Sequence, residues 1–299
     1  MEKSKNIIGI FDSGVGGLSV FREIYRLLPC EKYVYFSDNA HCPYGEKTRE
    51  YIIGRAKSIT EELVRRGASV IVLACNTATS AAIATLRKEY DLDSVGNCEA
   101  GKRLLALSGG RIDHIKFIGM EPAVKPAALV SRTKVVGVLA TAGTLKGEKY
   151  LNARDVYSGS VRIVEHVGQG FVELVERGEL EGTNASDVVR RSVVPLLEAG
   201  ADNIVLGCTH YPFLAPVIAR VCREFVDGGN HPFLAPGSPV GIIDPAPAVA
   251  RHLVDVMRGE GLTMTECAGA EMSSGIAAAD IELIASGPET PLLKAYGLL

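Results

Sequence analysis

The stretch IVLACNTA, residues 71–78, points to a parallel α/β fold, and NIVLGCTHY, residues 203–211, repeats its pattern. In each, an apolar run of the kind found in strands buried on both faces ends in a small residue, a cysteine and hydrogen-bonding side chains. Ligands of such folds bind at the carboxyl ends of the strands. These two strand ends are therefore where we look for a functional site.

The match between the two halves extends upstream. LVRRGASVIVLACNT aligns without a gap with LLEAGADNIVLGCTH, and IIGIFDSG aligns with VVGVLATAG, so that Gly9 matches Gly137 and Cys75 matches Cys208. A helix, a Gly-Ala turn and a strand form a common local pattern in α/β proteins, which explains the glycines and the apolar runs. It does not explain both cysteines, so we expect two similar halves.

Short β-rich runs alternate with helical segments along the whole chain. The runs begin at residues 7, 33, 70, 117, 135, 204 and 240, and the clearest helices cover 49–66, 77–90 and 186–198. This alternation predicts an α/β fold with two similar domains, whose mostly parallel sheets face each other across a central cleft. We expect a first domain of residues 1–98 plus about 212–299, carrying Cys75, and a second of about 99–211, carrying Cys208.

Two segments lie outside this alternation. Residues 94–114 separate a predicted helix from the next strand and form either an inserted helix or a lid. Residues 227–239 are rich in glycine and proline and predict a loop.

Composition excludes several functional classes. The chain has 299 residues, 47% of them hydrophobic, and its 32 basic and 35 acidic residues are mixed along its length, which argues against nucleic-acid or membrane partners. No run is long enough for a signal peptide or a membrane span, so we expect a cytoplasmic protein. Seven cysteines without a C-x-x-C motif favour reduced thiols over disulfides or a structural zinc site. Motifs of serine hydrolases, zincins and P-loop proteins are absent from the sequence.

Two glycine-containing loops could bind a ligand. DSGVGGLS, Asp12 to Ser19, follows a strand and should open a helix whose amides can bind an anion. Ser19 stands where a dinucleotide fingerprint requires glycine, so the alternative is a tight turn capped by Asp12 or Ser13. In CPYGEK, residues 42–47, the Tyr44 hydroxyl and the Gly45 amide are available to a ligand, unless the segment is only a turn.

The cysteines themselves are candidate acid/base residues. Cys75 precedes a predicted helix, whose amides and dipole favour a thiolate, and Asn76 and Thr77 can donate to a carboxylate. The same holds for Cys208 and Thr209, with His210 as a candidate proton partner. A single cysteine at such a place is usually a small core residue. Two cysteines at matching positions of the repeat favour a functional role over simple core packing.

Two thiols on opposite faces of one cleft could invert a carbon centre. One thiolate takes the Cα proton, and the opposite thiol returns a proton to the planar carbanion from behind. A free thiol, with a pKa of about 8.5, is only slightly ionised at neutral pH, so oriented donors must stabilise the carbanion. Asn76, Thr77, Thr209 and Ser13 are placed to do this.

The motifs together resemble those of glutamate racemases, within the aspartate/glutamate racemase superfamily. The matching segments are IGIFDSGVGGLSV, SDNAHCPYGEKT, VLACNTATSAA, FIGMEPAVKPA, GVLATAGTL, VLGCTHYPFL and IIDPA, in this order over nearly the whole chain. ACNTA with GCTHYP is specific to the superfamily, and DSGVGG with PYG to the glutamate branch. These enzymes need no cofactor and supply D-glutamate for peptidoglycan.

The resemblance implies roles for individual residues. Cys75 and Cys208 are implied to be the two acid/base residues, with Asp12 and His210 assisting the thiols and Glu176 near a family glutamate of similar role. The implied substrate contacts are Asp12, Ser13, Tyr44, Gly45, Asn76, Thr77, Thr209 and His210. Two features depart from the family: the length of 94–114, and HVGQGF in place of a cysteine-proline start to the helix that contains Glu176.

We therefore expect an enzyme without cofactor or metal, acting on glutamate as a homodimer, with no nucleic-acid or membrane partner. The alternatives are a racemase of another acidic amino acid such as aspartate, or a ligand-binding relative that has lost turnover. Retention of both cysteines argues against the latter. An NAD-dependent oxidoreductase is disfavoured by the incomplete glycine fingerprint.

Overall fold

The computed structural model describes residues 7–90, 99–112, 114–262 and 280–297. Within these ranges the strands are β1 Ile7–Asp12, β2 Lys32–Ser37, β3 Val70–Leu73, β4 Lys116–Gly119, β5 Val135–Ala140, β6 Arg162–Val167, β7 Asn203–Gly207, β8 Gly241–Ile243 and β9 Ile281–Ala285. The helices are α1 Leu18–Leu27, α2 Arg49–Arg65, α3 Asn76–Tyr90, α4 Glu99–Leu107, α5 Val124–Val130, α6 Ala142–Leu145, α7 Glu148–Tyr157, α8 Phe171–Arg177, α9 Gly182–Glu198, α10 Ala215–Asp227, α11 Ala246–Gly259 and α12 Thr290–Tyr296.

The chain divides into two compact units. The first comprises residues 1–120 and 246–299, and the second comprises residues 121–245. The first unit is therefore built from two separate segments of the chain. Strand pairing accounts for these bounds: β4 extends the first sheet by pairing with β3, and β8 extends the second sheet by pairing with β7.

The sheet of the first unit has the order β4-β3-β1-β2-β9, and all its strand pairs are parallel. The side chains of β3 are fully buried, because helices cover both faces of the sheet. Phe11, Ile71 and Leu73 share a buried cluster with Ile59 and Leu63 of α2. Elsewhere in this unit, α1 packs against α11.

The sheet of the second unit has the order β6-β5-β7-β8 and is likewise all parallel. Val136 and Val138 of β5 and Val205 of β7 form a buried cluster with Val124 of α5 and Tyr150 of α7. The predicted α/β fold class with parallel sheets is confirmed for both units. The sequence pattern missed β6 and β9, which are edge strands and lack a continuous buried run.

The predicted internal repeat is confirmed in the packing. A Cβ on Gly9 would lie 3.0 Å from Cβ of Ala68 and 3.1 Å from Cδ1 of Leu63. A Cβ on Gly137 would lie 3.4 Å from Cβ of Ala201 and 3.1 Å from Cδ1 of Leu196. The aligned residues thus make the same contacts in each unit, where a helix approaches the central strand closely.

Backbone geometry and strand order repeat as well. Gly67 and Gly200, which follow α2 and α9, have φ angles of 93° and 96°, a region that glycine enters without strain. Gly9 is paired with Ile71 across β1 and β3, and Gly137 with Ile204 across β5 and β7. The order β2-β1-β3-β4 corresponds to β6-β5-β7-β8, so β9 is an addition to the first unit.

The described part of the predicted insertion is helical. Within 94–114, residues 99–107 form α4, which packs against α2 and α3 through the buried Leu104, and Arg103 forms an ion pair with Glu61. Residues 94–98 and 113 lie outside the described residues. The predicted loop at 227–239 follows α10, and His231 organises it by accepting hydrogen bonds from the amides of Phe233 and Leu234.

Two expectations from composition have different outcomes. Over the described ranges, none of the helices combines the length and apolarity that crossing a membrane requires. Cys42, Cys75, Cys208 and Cys222 are reduced thiols, as predicted. Cys30 is disulfide-bonded, and this corrects the prediction of reduced thiols at that position.

We predict that Gly9→Ala and Gly137→Ala each lower the free energy of unfolding, by about 1–3 kcal/mol, because the added methyl overpacks the same Leu-Ala contact in each unit. Gly54→Ala is the matched control. Gly54 lies on the exposed face of α2 with open space around it, so alanine should stabilise that helix by about 0.5–1 kcal/mol. Urea unfolding followed by circular dichroism measures all three. Unchanged stability in both strand variants would contradict the packing argument.

Candidate active site

In the first unit, the predicted residues gather at the carboxyl edge of the sheet. Asp12 ends β1 and Ser13 follows it, while Cys75 lies two residues after the end of β3. Because β1 and β3 are parallel neighbours, these ends lie side by side. Sγ of Cys75 is 3.7 Å from Oγ of Ser13.

Cys75 also caps the helix that follows it. Its carbonyl oxygen accepts a hydrogen bond from Thr79 N at 2.8 Å, and its sulfur accepts one from Ala78 N at 3.4 Å. The donor to the sulfur is thus a backbone amide in the first turn of α3. The side chain is only 5% exposed. A hydrogen bond from a backbone amide and the positive end of a helix dipole both stabilise a thiolate. The placement is the one predicted from the sequence.

The glycine-rich loop is a capped turn. Oδ2 of Asp12 accepts a hydrogen bond from Gly17 N at 2.8 Å, directly before α1, and Asp12 is fully buried. A Cβ on Gly17 would lie 2.7 Å from Cβ of Asp12 and 2.8 Å from the Tyr35 hydroxyl. The capping alternative is thus confirmed, and it fixes the Asp12 carboxylate beside Ser13.

The donors predicted after Cys75 are buried at the start of α3. Asn76 is 5% exposed and Thr77 is 7% exposed. In the described part of the chain, Nδ2 of Asn76 has no hydrogen-bond partner. A buried amide donor without a partner costs free energy, so its retention here indicates a site for an acceptor such as a carboxylate oxygen.

The CPYGEK segment differs in part from its prediction. Tyr44 is fully buried, and its hydroxyl donates to Oδ2 of Asp38 at 2.5 Å. We expected this hydroxyl to be available to a ligand, but its proton is already donated to Asp38. Burial and the Asp38 charge raise the pKa of Tyr44, which keeps the phenol neutral. Gly45 is half-buried in the short 3-10 helix Tyr44–Glu46.

In the second unit, the corresponding strand end carries Cys208, which is 7% exposed and directly follows β7. Here an α-helix does not begin at once. A 3-10 helix, Tyr211–Leu214, comes first, and Tyr211 N donates to the Cys208 carbonyl at 3.1 Å. The surroundings of this sulfur therefore differ from those of Cys75.

Contacts lead from Cys208 through His210 to Glu176. Sγ of Cys208 lies 3.7 Å from Nδ1 of His210, and Nε2 of His210 lies 2.6 Å from Oε1 of Glu176. His210 is 2% exposed, and the Glu176 side chain is 19% exposed. A carboxylate that accepts the Nε2 proton fixes the tautomer, leaving Nδ1 to exchange a proton with sulfur. The structure thus joins Glu176 to His210.

Glycines in HVGQGF place Glu176. The Tyr211 hydroxyl donates to the Gly168 carbonyl, and a Cβ on Gly168 would lie 2.5 Å from that hydroxyl oxygen. Gly170, with a φ of 83°, immediately precedes α8. This close approach brings the helix carrying Glu176 beside the segment with His210. Burial raises the pKa of Tyr211 well above its ordinary value, so it acts as a neutral donor.

Sequence reasoning missed three polar residues near these edges. Thr141 ends the β5 region as the repeat counterpart of Ser13 and caps α6 by accepting from Thr144 N at 3.2 Å. The buried Asp38 forms an ion pair with the half-buried Arg55. The signal for Thr141 was the alignment of DSG with ATA, and the signal for Asp38 was its place directly after β2. Arg55, within a helix, carried no sequence signal.

Comparison with known proteins identifies the family. The profile of the Asp/Glu/hydantoin racemases matches residues 8–253. The chain belongs to this family. The two cysteine motifs that first indicated the resemblance lie inside the matched range, and the resemblance is confirmed.

Curated relatives and solved structures narrow the similarity. A glutamate racemase from Ectopseudomonas mendocina is 43% identical over 270 residues, covering 90% of this chain and 89% of that protein. A glutamate racemase from Methylococcus capsulatus is 44% identical over 265 residues, covering 88% and 83%. Escherichia coli glutamate racemase, solved with L-glutamate and the activator UDP-MurNAc-Ala, superposes with a TM-score of 0.72 at 28% identity, covering 98% of this chain and 95% of that one.

Proposed function

We propose that this racemase-family chain is a cofactor-independent glutamate racemase, which interconverts L- and D-glutamate by proton transfer at Cα through Cys75 and Cys208. The observation that carries the proposal is the pair of thiols at repeat-equivalent strand ends, each with its own group for stabilising or moving a proton. The names of relatives more than 40% identical over most of the chain support glutamate as the substrate.

The proposed reaction balances one proton on each side. In the L-to-D direction the Cys208 thiolate takes the Cα proton, leaving a carbanion, and the Cys75 thiol donates its proton to the opposite face. Cys208 ends as the thiol and Cys75 as the thiolate, ready for the reverse direction.

Each thiol needs a route to its ionised form, because free thiols are mostly protonated at neutral pH. For Cys208, His210 takes the proton through Nδ1, and Glu176 stabilises the imidazolium through Nε2. For Cys75, the Ala78 amide stabilises the thiolate directly. We assign the Asp12 carboxylate, at the end of the neighbouring strand β1, the role of assisting proton movement. The two halves of the site thus solve the same problem by different means.

Donors around the substrate carboxylates make the carbanion accessible. We assign this role to Ser13, Asn76, Thr77 and Thr209, with the Gly45 amide as a further contact. Each of the four side chains is less than one tenth exposed, so its hydrogen bonds are strong and already oriented. The unpartnered Nδ2 of Asn76 is the donor whose need for an acceptor is clearest.

We further propose a cellular role and an oligomeric state for this enzyme. The product D-glutamate serves peptidoglycan synthesis in the cytoplasm, without nucleic-acid or membrane partners, and the enzyme is a homodimer. The exposed apolar side chains Leu129, Val130 and Val156 of the second unit supply surface for subunit contact. A solution mass equal to one chain, measured by light scattering, would contradict the dimer.

We predict that the purified protein racemises L-glutamate with no added cofactor, because both acid/base groups are side chains. Optical rotation or circular dichroism of the substrate should decay to zero, and a chelator should leave the rate unchanged. L-aspartate is the control substrate and should react at least about tenfold more slowly, the discrimination that pocket contacts commonly achieve. Faster turnover of aspartate would shift the assignment within the family, and inactivity on both would contradict it.

We predict that Cys75→Ser and Cys208→Ser each reduce turnover by at least about 100-fold in both directions, because a hydroxyl is a far weaker acid than a thiol. Cys222→Ser is the matched control. Cys222 is 3% exposed on α10, and burial raises its pKa to about 12, so it stays a neutral core residue. This variant should retain the wild-type rate with a modest loss of stability. If Cys75→Ser or Cys208→Ser kept substantial activity, the two-thiol mechanism would fail.

A further inference from the structure

A buried carboxylate at the carboxyl end of β2 has no role in the proton transfers. Asp38 is fully buried, and Arg55 of α2 binds both of its oxygens, with Nε 2.9 Å from Oδ2 and Nη2 2.6 Å from Oδ1. Such bidentate pairing is among the stronger and more directional contacts available to a carboxylate. Because a buried charge needs such pairing, the contact with Arg55 holds the Asp38 carboxylate in one position.

Two further groups converge on the same carboxylate. The Tyr44 hydroxyl donates to Oδ2, and Ser286, which follows β9, is a hydrogen-bond partner of Asp38. Burial alone would raise the pKa of Asp38, but the hydrogen bonds from Arg55, Tyr44 and Ser286 lower it below its ordinary value. Asp38 therefore stays ionised, and we call Asp38, Tyr44, Arg55 and Ser286 the Asp38 cluster.

Residues 286–288, which follow β9, form hydrogen bonds with the start of the loop formed by residues 38–47. Nδ2 of Asn39 donates to the Pro288 carbonyl at 2.6 Å, and Oδ1 of Asn39 accepts from Gly287 N at 2.8 Å. Ala40 N donates to Oγ of Ser286 at 3.1 Å. The added strand β9 thus delivers three residues that hold the beginning of the 38–47 loop, while Asp38 holds Tyr44 near its end.

We infer that Asp38 is a positioning residue for substrate binding, which acts through Tyr44 to fix the 38–47 loop and its Gly45 amide beside Cys75. The inference rests on the proposed function, in which this loop contacts glutamate. Tyr44 belongs to the same buried cluster as Cys75, so displacement of its ring alters the wall of the site. A merely structural Asp38 would affect stability without affecting substrate affinity.

The test is Asp38→Asn, assayed in both directions. Asparagine keeps the shape but places an amide donor against the guanidinium, which loosens the loop. Because the loop contact is made equally in ground and transition states, KM should rise about tenfold while kcat stays within about threefold. Tyr44→Phe removes only the hydroxyl link and should show the same split, so the test survives if Asp38→Asn folds poorly.

Asp202→Asn is the matched control. Asp202 is 2% exposed, directly precedes β7, and accepts hydrogen bonds from Oγ of Ser131 at 2.7 Å and Arg132 N at 2.6 Å. It lies at the edge of its sheet opposite to Cys208, so its loss should lower the midpoint of thermal unfolding and leave KM unchanged. If Asp38→Asn and Tyr44→Phe behaved like this control, or lowered kcat at constant KM, the inference would be overturned.

Hydrogen exchange gives a readout that does not depend on activity. In Asp38→Asn, peptides covering 39–47 should exchange faster than in the wild type, whereas peptides of the second unit should not change. Unaltered exchange in this loop would overturn the positioning role. A wild-type protein that fails to racemise glutamate would defeat the proposed function instead, and the exchange result would then decide the role of Asp38 alone.

Discussion

The contact between a strand glycine and the Leu-Ala pair of the adjoining helix and turn is the constraint on which both units depend. Gly9 and Gly137 allow α2 and α9 to approach the central strands closely, and Gly67 and Gly200 then reverse the chain with positive φ angles. The next strands, β3 and β7, leave this turn in the same register in each unit. Ile71 and Ile204, the residues paired with the two glycines, precede the cysteines by the same number of residues, so Cys75 and Cys208 lie at corresponding edges.

From that shared frame the two thiols acquire different surroundings. Cys75 meets a regular helix, and an amide of the first turn reaches its sulfur. Cys208 meets a 3-10 helix instead, which leaves room for His210 and Glu176. A fixed amide stabilises a charge in place, whereas an imidazole can also carry a proton away. In the proposed mechanism, one fold element repeated twice therefore provides two acid/base groups with independent tuning.

The sequence predicted what depends on local pattern. Buried parallel strands give continuous apolar runs, and the repeat was visible because the aligned Gly, Leu and Ala residues make the same close contacts in both units. Edge strand β6 was missed because all of its residues are exposed or half-buried, which gives no such run. The Asp38 cluster was missed because Arg55 and Ser286 come from distant parts of the chain. The pairing of β4 with β3 and of β8 with β7 is likewise a tertiary property that a local pattern does not show.

The most direct measurement of the two-thiol account is the isotope content of glutamate early in the reaction in heavy water. The donating thiol has exchanged with solvent, while the abstracting thiol carries the substrate's own proton. Starting from L-glutamate, the account predicts D-glutamate that is almost wholly deuterated at Cα, while the remaining L-glutamate stays almost wholly protiated. A single base that moved between the two faces would return the original proton. Substantial protium in the early D-glutamate would therefore contradict the account.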